Sequence, residues 1–200
     1  ILDQTKKKIF VSNPESNNIS LIDLTNGSNT LIDAGNSPIG LAFDKSNNRL
    51  FVSNWYDNVV SVINLKSKKI IRTINVGQSP AGMYLDESLK KLFVVNREDN
   101  DVSVIDIERF KVLTKIQVQN SPFGIYSESY LNYLVVTNVQ SNSISIIDKI
   151  SLKIIKNIKV GKWPYSVIHN KNLNHLFVTN QRDDSISIID MNKKIRVSSL

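Results

Sequence analysis

Four short apolar segments follow one another between Lys90 and Tyr126. They read K-K-L-F-V-V-N over 90–96, V-S-V-I-D over 102–106, V-L-T-K-I-Q-V over 112–118 and N-S-P-F-G-I-Y over 120–126. Val, Ile, Leu and Phe dominate the segments, while Asn, Asp, Ser, Gly and Pro separate them. This alternation is typical of short β-strands joined by tight turns. No window of ten or more residues has the periodicity of a helix.

Almost all of the chain repeats this pattern. In each copy an Asn closes an F-V-S-N-like run, a Ser follows it after seven residues, and an Asp or Asn follows after ten. The five copies of the first Asn are Asn13, Asn54, Asn96, Asn138 and Asn180, with spacings of 41, 42, 42 and 42 residues. A Pro also recurs, at Pro38, Pro80, Pro122 and Pro164. Tandem four-stranded units of this length predict β-propeller blades.

The motifs also resemble a known family of repeats. The runs V-V-T-N at 135–138 and F-V-T-N at 177–180 resemble the Y-V-T-N signature of the YVTN family of β-propeller repeats. Further matches are S-I-S-I-I-D at 143–148 and 185–190, and S-P-x-G at 37–40, 79–82 and 121–124. The resemblance covers all 200 residues, although the fourth S-P-x-G is replaced by K-W-P-Y-S at 162–166. It implies a fold more than an activity, because motif residues of this kind build the blade.

We therefore expect an all-β fold, a β-propeller built of four-stranded antiparallel blades with strands a to d in each. About five blades are present. Because propellers of the resembled type usually have about seven, we expect an open arc of a larger ring, and a closed five-bladed ring is less favoured. The chain is interpreted as one propeller region, 1–200, with blade units of roughly 1–35, 36–77, 78–119, 120–161 and 162–200.

Composition excludes several classes of site. There is no Cys, so thiolate-bound zinc, iron–sulfur clusters and Cys nucleophiles are ruled out within these residues, and the only histidines are His169 and His175. No apolar run approaches the roughly 20 residues that span a bilayer. The chain begins at Ile1 without a Met, which indicates a fragment or a processed product. We expect no catalytic residues, no metal and no cofactor.

The recurrent residues have a structural interpretation. The Asn that ends strand b is expected to bond turn backbone and to tolerate left-handed geometry, and the Asp ten residues later suits an Asx turn. The Ser between them is a small strand residue rather than a nucleophile, because no G-x-S-x-G elbow occurs. His169 is expected to be a satisfied core residue that faces a neighbouring blade, and His175 to be exposed.

The residues that do not repeat are the candidates for a site. The resemblance implies that the b–c loops and the d–a connections share one face of the propeller, where ligands usually bind. At those positions the units differ, and both tryptophans lie there. Exposed aromatic residues beside Arg are typical of interfaces. The predicted ligand- or partner-binding residues are Trp55, Tyr56, Arg97, Glu98, Phe123, Trp163, Tyr165 and Arg182.

The distribution of charge argues against a nucleic-acid partner. The net charge of +7 could attract an anionic polymer. On the face with the b–c loops, however, Arg97, Lys162 and Arg182 are outnumbered by seven acidic residues, which gives a net charge of −4. Basic residues concentrate on the opposite turns and the outer strands, away from the aromatic side chains. Nucleic-acid sites usually interleave the two types.

The leading hypothesis is a non-catalytic propeller scaffold that binds a protein or a small-molecule ligand on the b–c face. The resemblance implies a location outside the cytoplasm: extracellular, at the cell surface or in the periplasm. The alternative is the propeller domain of an oxidoreductase, similar to the haem d1 domain of nitrite reductases or to quinoprotein amine dehydrogenases. A lactonase-like hydrolase is a weaker third option, because Arg97, Glu98 and Arg182 form no defined acid–base pair.

Overall fold

Residues 1–199 are described by a computed structural model, and they form twenty β-strands and one 3-10 turn, Pro14–Ser16. The strands make five four-stranded antiparallel sheets, each in simple sequential order, as predicted. The first two sheets are β1 (Leu2–Asp3), β2 (Lys8–Asn13), β3 (Asn18–Asp23) and β4 (Asn29–Asp33), then β5 (Pro38–Asp44), β6 (Arg49–Asn54), β7 (Val59–Asn64) and β8 (Lys69–Asn75). Within residues 1–199 no helix is long and apolar enough to cross a membrane.

The remaining three sheets repeat the same order. The third contains β9 (Pro80–Asp86), β10 (Lys91–Asn96), β11 (Asp101–Asp106) and β12 (Lys111–Gln117). The fourth contains β13 (Pro122–Tyr126), β14 (Tyr133–Asn138), β15 (Ser143–Asp148) and β16 (Ile154–Lys159). The fifth contains β17 (Pro164–Asn170), β18 (His175–Asn180), β19 (Ser185–Asp190) and β20 (Ile195–Ser199). In each sheet the four strands correspond in order to the predicted strands a to d.

The chain forms two compact units. The first comprises Ile1–Val94 and Ser103–Thr114, and the second comprises Val95–Val102 and the residues from Lys115 onward. The third sheet is thus shared, and its b–c loop belongs to the second unit.

Apolar residues from neighbouring sheets form the cores of the units. In the first unit, Phe10 and Ile19 of the first sheet pack with Leu50 and Val52 of the second. The opposite side of the second sheet, which includes Phe51, packs on the third sheet in a separate cluster. In the second unit, residues of the fourth and fifth sheets form one cluster. Strands b and c of the second sheet are therefore apolar on both faces because each face is buried against a different neighbour.

A comparison of equivalent valines shows how much burial depends on that neighbour. Val11 and Val52 occupy the same position in strand b of the first and second sheets. Val52 packs against the first sheet and is 0% exposed, whereas Val11 is 39% exposed. The sequence pattern is the same at both places, so the difference comes from what covers the face.

The recurrent Asn and Ser form a hydrogen bond inside the first, second, fourth and fifth sheets. Nδ2 of Asn54 donates to Oγ of Ser61 at 2.8 Å, and the corresponding pair Asn138 and Ser145 is 2.9 Å apart. The serines are buried, which agrees with a structural role. The expected left-handed geometry was wrong for these Asn residues, because the positive φ angles fall four residues later, as at Asn58. The side-chain amide of the motif Asn therefore links strands b and c.

The Asx turns predicted between strands c and d are present. Oδ1 of Asp106 accepts hydrogen bonds from the backbone N–H groups of Glu108 and Arg109, at 2.8 and 2.9 Å. Asn64 accepts equivalent bonds at the same place in the second sheet. The bond from the Ser151 backbone lowers the pKa of Asp148, and the bond from the Lys193 backbone lowers the pKa of Asp190. Both carboxylates are thus stabilised in the charged form.

We predict that these turns contribute to acid sensitivity. A carboxylate whose pKa is lowered by folding adds stability above the ordinary value of 3.8, and that stability is lost as the pH falls through the lowered value. In the variant Asp148→Asn/Asp190→Asn, the amide oxygens still accept the backbone bonds but do not titrate. The urea midpoint should therefore fall less between pH 7 and pH 3 than in the wild type.

The control for this experiment is Glu15→Gln/Asp33→Asn. The side chains of these two carboxylates accept no hydrogen bond from residues 1–199, so the pH dependence of the control should stay close to that of the wild type. An unchanged pH dependence in the Asp148 and Asp190 variant would contradict the role of the turns.

Candidate functional site

The b–c loops lie beside the d–a connections in both units. In the first unit the backbone N–H of Trp55 donates to the carbonyl of Ser37 at 2.9 Å. In the second unit the N–H of Gln181 donates to the carbonyl of Trp163 at 3.0 Å. In each unit, we call the surface formed by its b–c loops and d–a connections the b–c face.

An Asn cap that the sequence analysis missed links the b–c loops of the first four sheets to the following sheet. Oδ1 of Asn58 accepts from the N–H of Ser79 at 2.9 Å, and Oδ1 of Asn142 accepts from the N–H of Trp163 at 3.1 Å. All four of these residues have positive φ. The signal was visible as an Asn four residues after the motif Asn in four of the five units. Its effect is to hold the d–a turns in place on the b–c face.

Three of the predicted residues form a contact chain in the second unit. The guanidinium carbon of Arg97 lies 6.0 Å from the ring centroid of Phe123. That ring meets Tyr165 edge to face, with centroids 5.2 Å apart and an interplanar angle of 74°. Glu98 extends the chain, because its Oε1 lies 3.7 Å from Nε of Arg97. The residues come from the b–c loop of the third sheet and the a strands of the fourth and fifth.

Trp163 and Arg182 form a second group on this face. The guanidinium carbon of Arg182 lies 5.0 Å from the indole ring of Trp163, within cation–π range. The indole is 40% exposed. Asp183 fixes the connection between them, because its Oδ2 accepts from the backbone N–H of Lys162 at 2.6 Å and its Oδ1 lies 3.7 Å from Nζ of Lys162. An aromatic surface paired with a cation is therefore open to solvent.

The other two predicted residues belong to the first unit. Tyr56 is 69% exposed, and its backbone N–H donates to the carbonyl of Asn36 at 3.4 Å. Trp55 is half-buried. Asp57 next to them accepts from the N–H of Asn36 at 2.7 Å. The geometry thus groups Arg97, Glu98, Phe123 and Tyr165, and separately Trp163 and Arg182, while Trp55 and Tyr56 are described within the first unit alone.

Several carboxylates on the b–c face are engaged in structural bonds. Nζ of Lys115 lies 3.1 Å from Oδ2 of Asp99 and 3.4 Å from Oδ2 of Asp101. Burial alone would lower the pKa of Lys115, but the two aspartates outweigh it and the pKa is raised. Asp101 is buried and also accepts from the amide of Asn96. These acids therefore neutralise a lysine and hold the loop, which leaves the aromatic and Arg side chains as the contact groups.

Close approach of two strands brings Phe123 to Tyr165. A Cβ at Gly124 would fall far inside van der Waals contact with the carbonyl oxygen of Tyr165 and 2.9 Å from Oγ1 of Thr137. That hydroxyl donates to the same carbonyl at 3.3 Å and accepts from the Gly124 N–H at 2.9 Å. The glycine of the S-P-x-G motif is thus required for contact between sheets. Ser166 replaces it in the fifth sheet, where the position is exposed.

A hollow of about 590 Å³ adjoins Tyr165 on the fifth sheet. Thr179 and Ile186 line it. Their equivalents in the fourth sheet, Thr137 and Ile144, are fully buried against the fifth. The hollow therefore lies on the face that, in the other sheets, is covered by the next sheet. It is a packing surface and is not part of the aromatic groups on the b–c face.

His169 is satisfied, but it is half-buried rather than part of the core. Its Nε2 lies 3.0 Å from Oδ1 of Asn174, which can only accept, so this nitrogen carries the proton in the neutral ring. Nδ1 lies 3.3 Å from the hydroxyl of Tyr130. His175 is half-buried as well. Within residues 1–199 no group of three or more His, Cys, Asp or Glu side chains could hold a metal ion.

Comparison with known proteins supports the fold. A model of YNCE-like β-propellers matches residues 2–90. The chain is a β-propeller repeat protein. No curated protein sequence matches it.

Solved structures with similar folds belong to proteins of different kinds. Hydrazine synthase of Kuenenia stuttgartiensis is 22% identical with a TM-score of 0.74, over 81% of this chain and 48% of that one. A functionally unknown protein from Desulfotomaculum acetoxidans is 12% identical with a TM-score of 0.82, over 100% and 68%. The dihydro-heme d1 dehydrogenase NirN is 18% identical with a TM-score of 0.77, over 98% and 45%. At these identities the likeness is one of fold, and the chain spans about half the length of the hydrazine synthase and NirN chains.

We predict that Gly124→Ala destabilises the propeller. The added methyl group has to displace backbone, and such overpacking should lower the free energy of unfolding by about 2 kcal/mol. For a chain of this size that corresponds to a fall in melting temperature of roughly 4–8 °C. The matched control is Ser166→Ala, at the same repeat position but exposed. Thermal unfolding of both variants measures the difference, and equal melting temperatures would contradict the close approach.

Proposed function

We propose that this chain is a non-catalytic binding propeller of the YVTN-repeat type, and that its partner, a protein or a small-molecule ligand, contacts the b–c face. The proposal rests on a contrast between the residues that recur in every sheet and those that do not. Recurrent residues such as Asn138 and Ser145 are buried and bonded to one another. The residues that do not repeat form the contact groups of the b–c face: Arg97 and Phe123 are half-buried, and Trp163 is exposed.

The chemistry of these groups favours a partner with both apolar and acidic character. Arg182 lies over the ring of Trp163, which orders its guanidinium group and leaves its N–H edge available for carboxylate or carbonyl oxygens. Arg97 lies over Phe123 in the same way, but its Nε already faces Glu98. Trp163 and Tyr56 supply exposed aromatic area. Interfaces concentrate their binding energy in such Trp, Tyr and Arg residues. A location outside the cytoplasm, as the YVTN resemblance implies, belongs to the same proposal.

We predict that the variant Arg97→Ala/Trp163→Ala loses partner capture. It removes one contact group from each cluster on the b–c face, and the affinity should fall at least tenfold, because single hot-spot residues typically contribute more than about 1.4 kcal/mol. The immobilised full-length protein is exposed to extract of the producing organism, and the captured molecules are quantified by mass spectrometry.

The control variant is Lys153→Ala/Lys156→Ala, which changes two exposed residues at the outer edge of the fourth sheet. It should capture the same molecules as the wild type. Circular dichroism and thermal unfolding establish that both variants are folded. If the Arg97 and Trp163 variant captures the same set at the same level, the b–c face is not the binding face.

The oxidoreductase hypothesis makes a different prediction. The chain's best-placed candidate ligand, His169, has both ring nitrogens engaged by Tyr130 and Asn174. A haem axial bond to this residue would require one of those contacts to break. An absorption spectrum of the full-length protein isolated from its own organism distinguishes the two hypotheses, since a haem or quinone band would favour the oxidoreductase.

A further inference from the structure

A cavity lies between the first and second sheets, on the side of the a–b and c–d turns and away from the b–c face. Its volume is about 220 Å³. Apolar side chains and polar ones line different parts of it. The apolar residues are Phe10, Leu21, Phe43 and Leu65, and the polar residues are Asp3, Lys6, Lys8, Asn48 and Lys66. The rings of Phe10 and Phe43 are 5.4 Å apart. The whole cavity belongs to the first unit.

The same place between the second and third sheets is filled by a phenylalanine. Phe110, at the c–d turn of the third sheet, packs against the apolar cluster there. Its ring centroid lies 5.1 Å from the guanidinium carbon of Arg49, which also lies 5.6 Å from the ring of Phe51. A cation is thus held between two aromatic rings. Arg49 and Phe51 are the repeat equivalents of Lys8 and Phe10, which line the cavity.

In the second sheet the equivalent of Phe110 is a lysine, which has no ring to fill the cavity. Lys68 occupies that position with nearly the same backbone, φ 56° against 54° for Phe110. Its Nζ lies 3.4 Å from the hydroxyl of Thr30 on the first sheet, and its side chain does not line the cavity. The space between the first and second sheets therefore lacks the aromatic ring that lies between the second and third. The apolar side chains of Phe10 and Phe43 and the nearby lysines still line it.

The charges around the cavity favour an anion. Three lysines line it against a single carboxylate, Asp3, which already accepts the backbone N–H groups of Thr5 and Lys6. Nζ of Lys6 donates to the neutral Asn48 side chain at 2.9 Å. The ammonium group of Lys66 has no ion-pair partner within residues 1–199. Nζ of Lys8 lies 3.9 Å from Oδ2 of Asp23, which is a long contact, so an incoming carboxylate would gain the Lys66 cation without displacing a tight ion pair.

From this comparison we propose that the cavity is a binding site for a small aromatic carboxylate. The ring takes the place that the Phe110 ring has in the next pair of sheets, on the floor made by Phe10 and Phe43. The carboxylate faces Lys66 and Lys8. The cavity volume of about 220 Å³ is large enough for a benzene ring, because an apolar cavity of about 150 Å³ holds benzene. The site is separate from the b–c face and does not depend on the proposed function.

Benzoate is the probe for this proposal, and ligand-observed NMR titration of the full chain is the measurement. A molecule of this size should bind with a dissociation constant on the order of millimolar. Benzyl alcohol lacks the charge and acetate lacks the ring, so each should bind at least tenfold more weakly than benzoate. Lys66→Gln should weaken benzoate several-fold and leave benzyl alcohol unchanged.

The decisive variant is Lys68→Phe, which copies the third sheet and should fill the cavity. It should abolish benzoate binding and leave the melting temperature unchanged or higher. The matched control is Lys194→Phe, a change of the same residue type at the same turn position in the fifth sheet, with φ 53°. It should bind benzoate as the wild type does. Benzoate binding that survives in Lys68→Phe, or equal binding of benzoate and benzyl alcohol, would overturn the proposal.

Discussion

Burial of apolar sheet faces against neighbouring sheets is the constraint on which the rest of this structure depends. Strands b and c carry Val, Ile, Leu and Phe on both sides, so a single four-stranded sheet would leave one apolar face in water. Burial of a Val or Leu side chain is worth roughly 1.5–3 kcal/mol, and only a neighbouring sheet can supply it on the second face. The tandem repeat is thus a means of providing each sheet with a partner of matching shape.

Polar groups fix the distance at which neighbouring sheets meet. The hydroxyl of Ser53 donates to the carbonyl of Ala81 at 2.7 Å, and Ser12 donates to Ile39 at 3.0 Å. These bonds run from strand b of one sheet to strand a of the next, and they place the backbone of strand a so close that Gly40 has no room for a Cβ. Packing and hydrogen bonding therefore select the same spacing, and substitutions in the recurrent positions are constrained by both.

The fold could be predicted because the repeat presents the same evidence five times. One Asn or one S-P-x-G would say little, but nearly equal spacings of 41 and 42 residues leave few alternatives to stacked four-stranded units. Comparison of the five repeat units also identified the positions at which they differ. It did not reveal which of them touch, because the contact of Arg97 with Phe123 joins a loop of one sheet to a strand of the next.

Other features depend on comparisons that only coordinates allow. The motif Asn residues were expected at positive φ, but the left-handed position is the later Asn, which caps the turn of the following sheet. The cavity beside Lys8 is similar in this respect. The sequence shows Lys68 and Phe110 only as different residues at equivalent turns. That one pair of sheets has a cavity and the next does not becomes visible only when the positions of Phe10 and Phe43 are known.

The stability of this fold comes from sheet-to-sheet burial rather than from the strand pattern, and one pair of variants tests this directly. Val52→Ala and Val11→Ala make the same change at the same repeat position, but the first is fully buried and the second is 39% exposed. Equilibrium unfolding in urea should show a loss of about 2 kcal/mol for Val52→Ala and of less than about 0.5 kcal/mol for Val11→Ala. Equal losses would contradict the account.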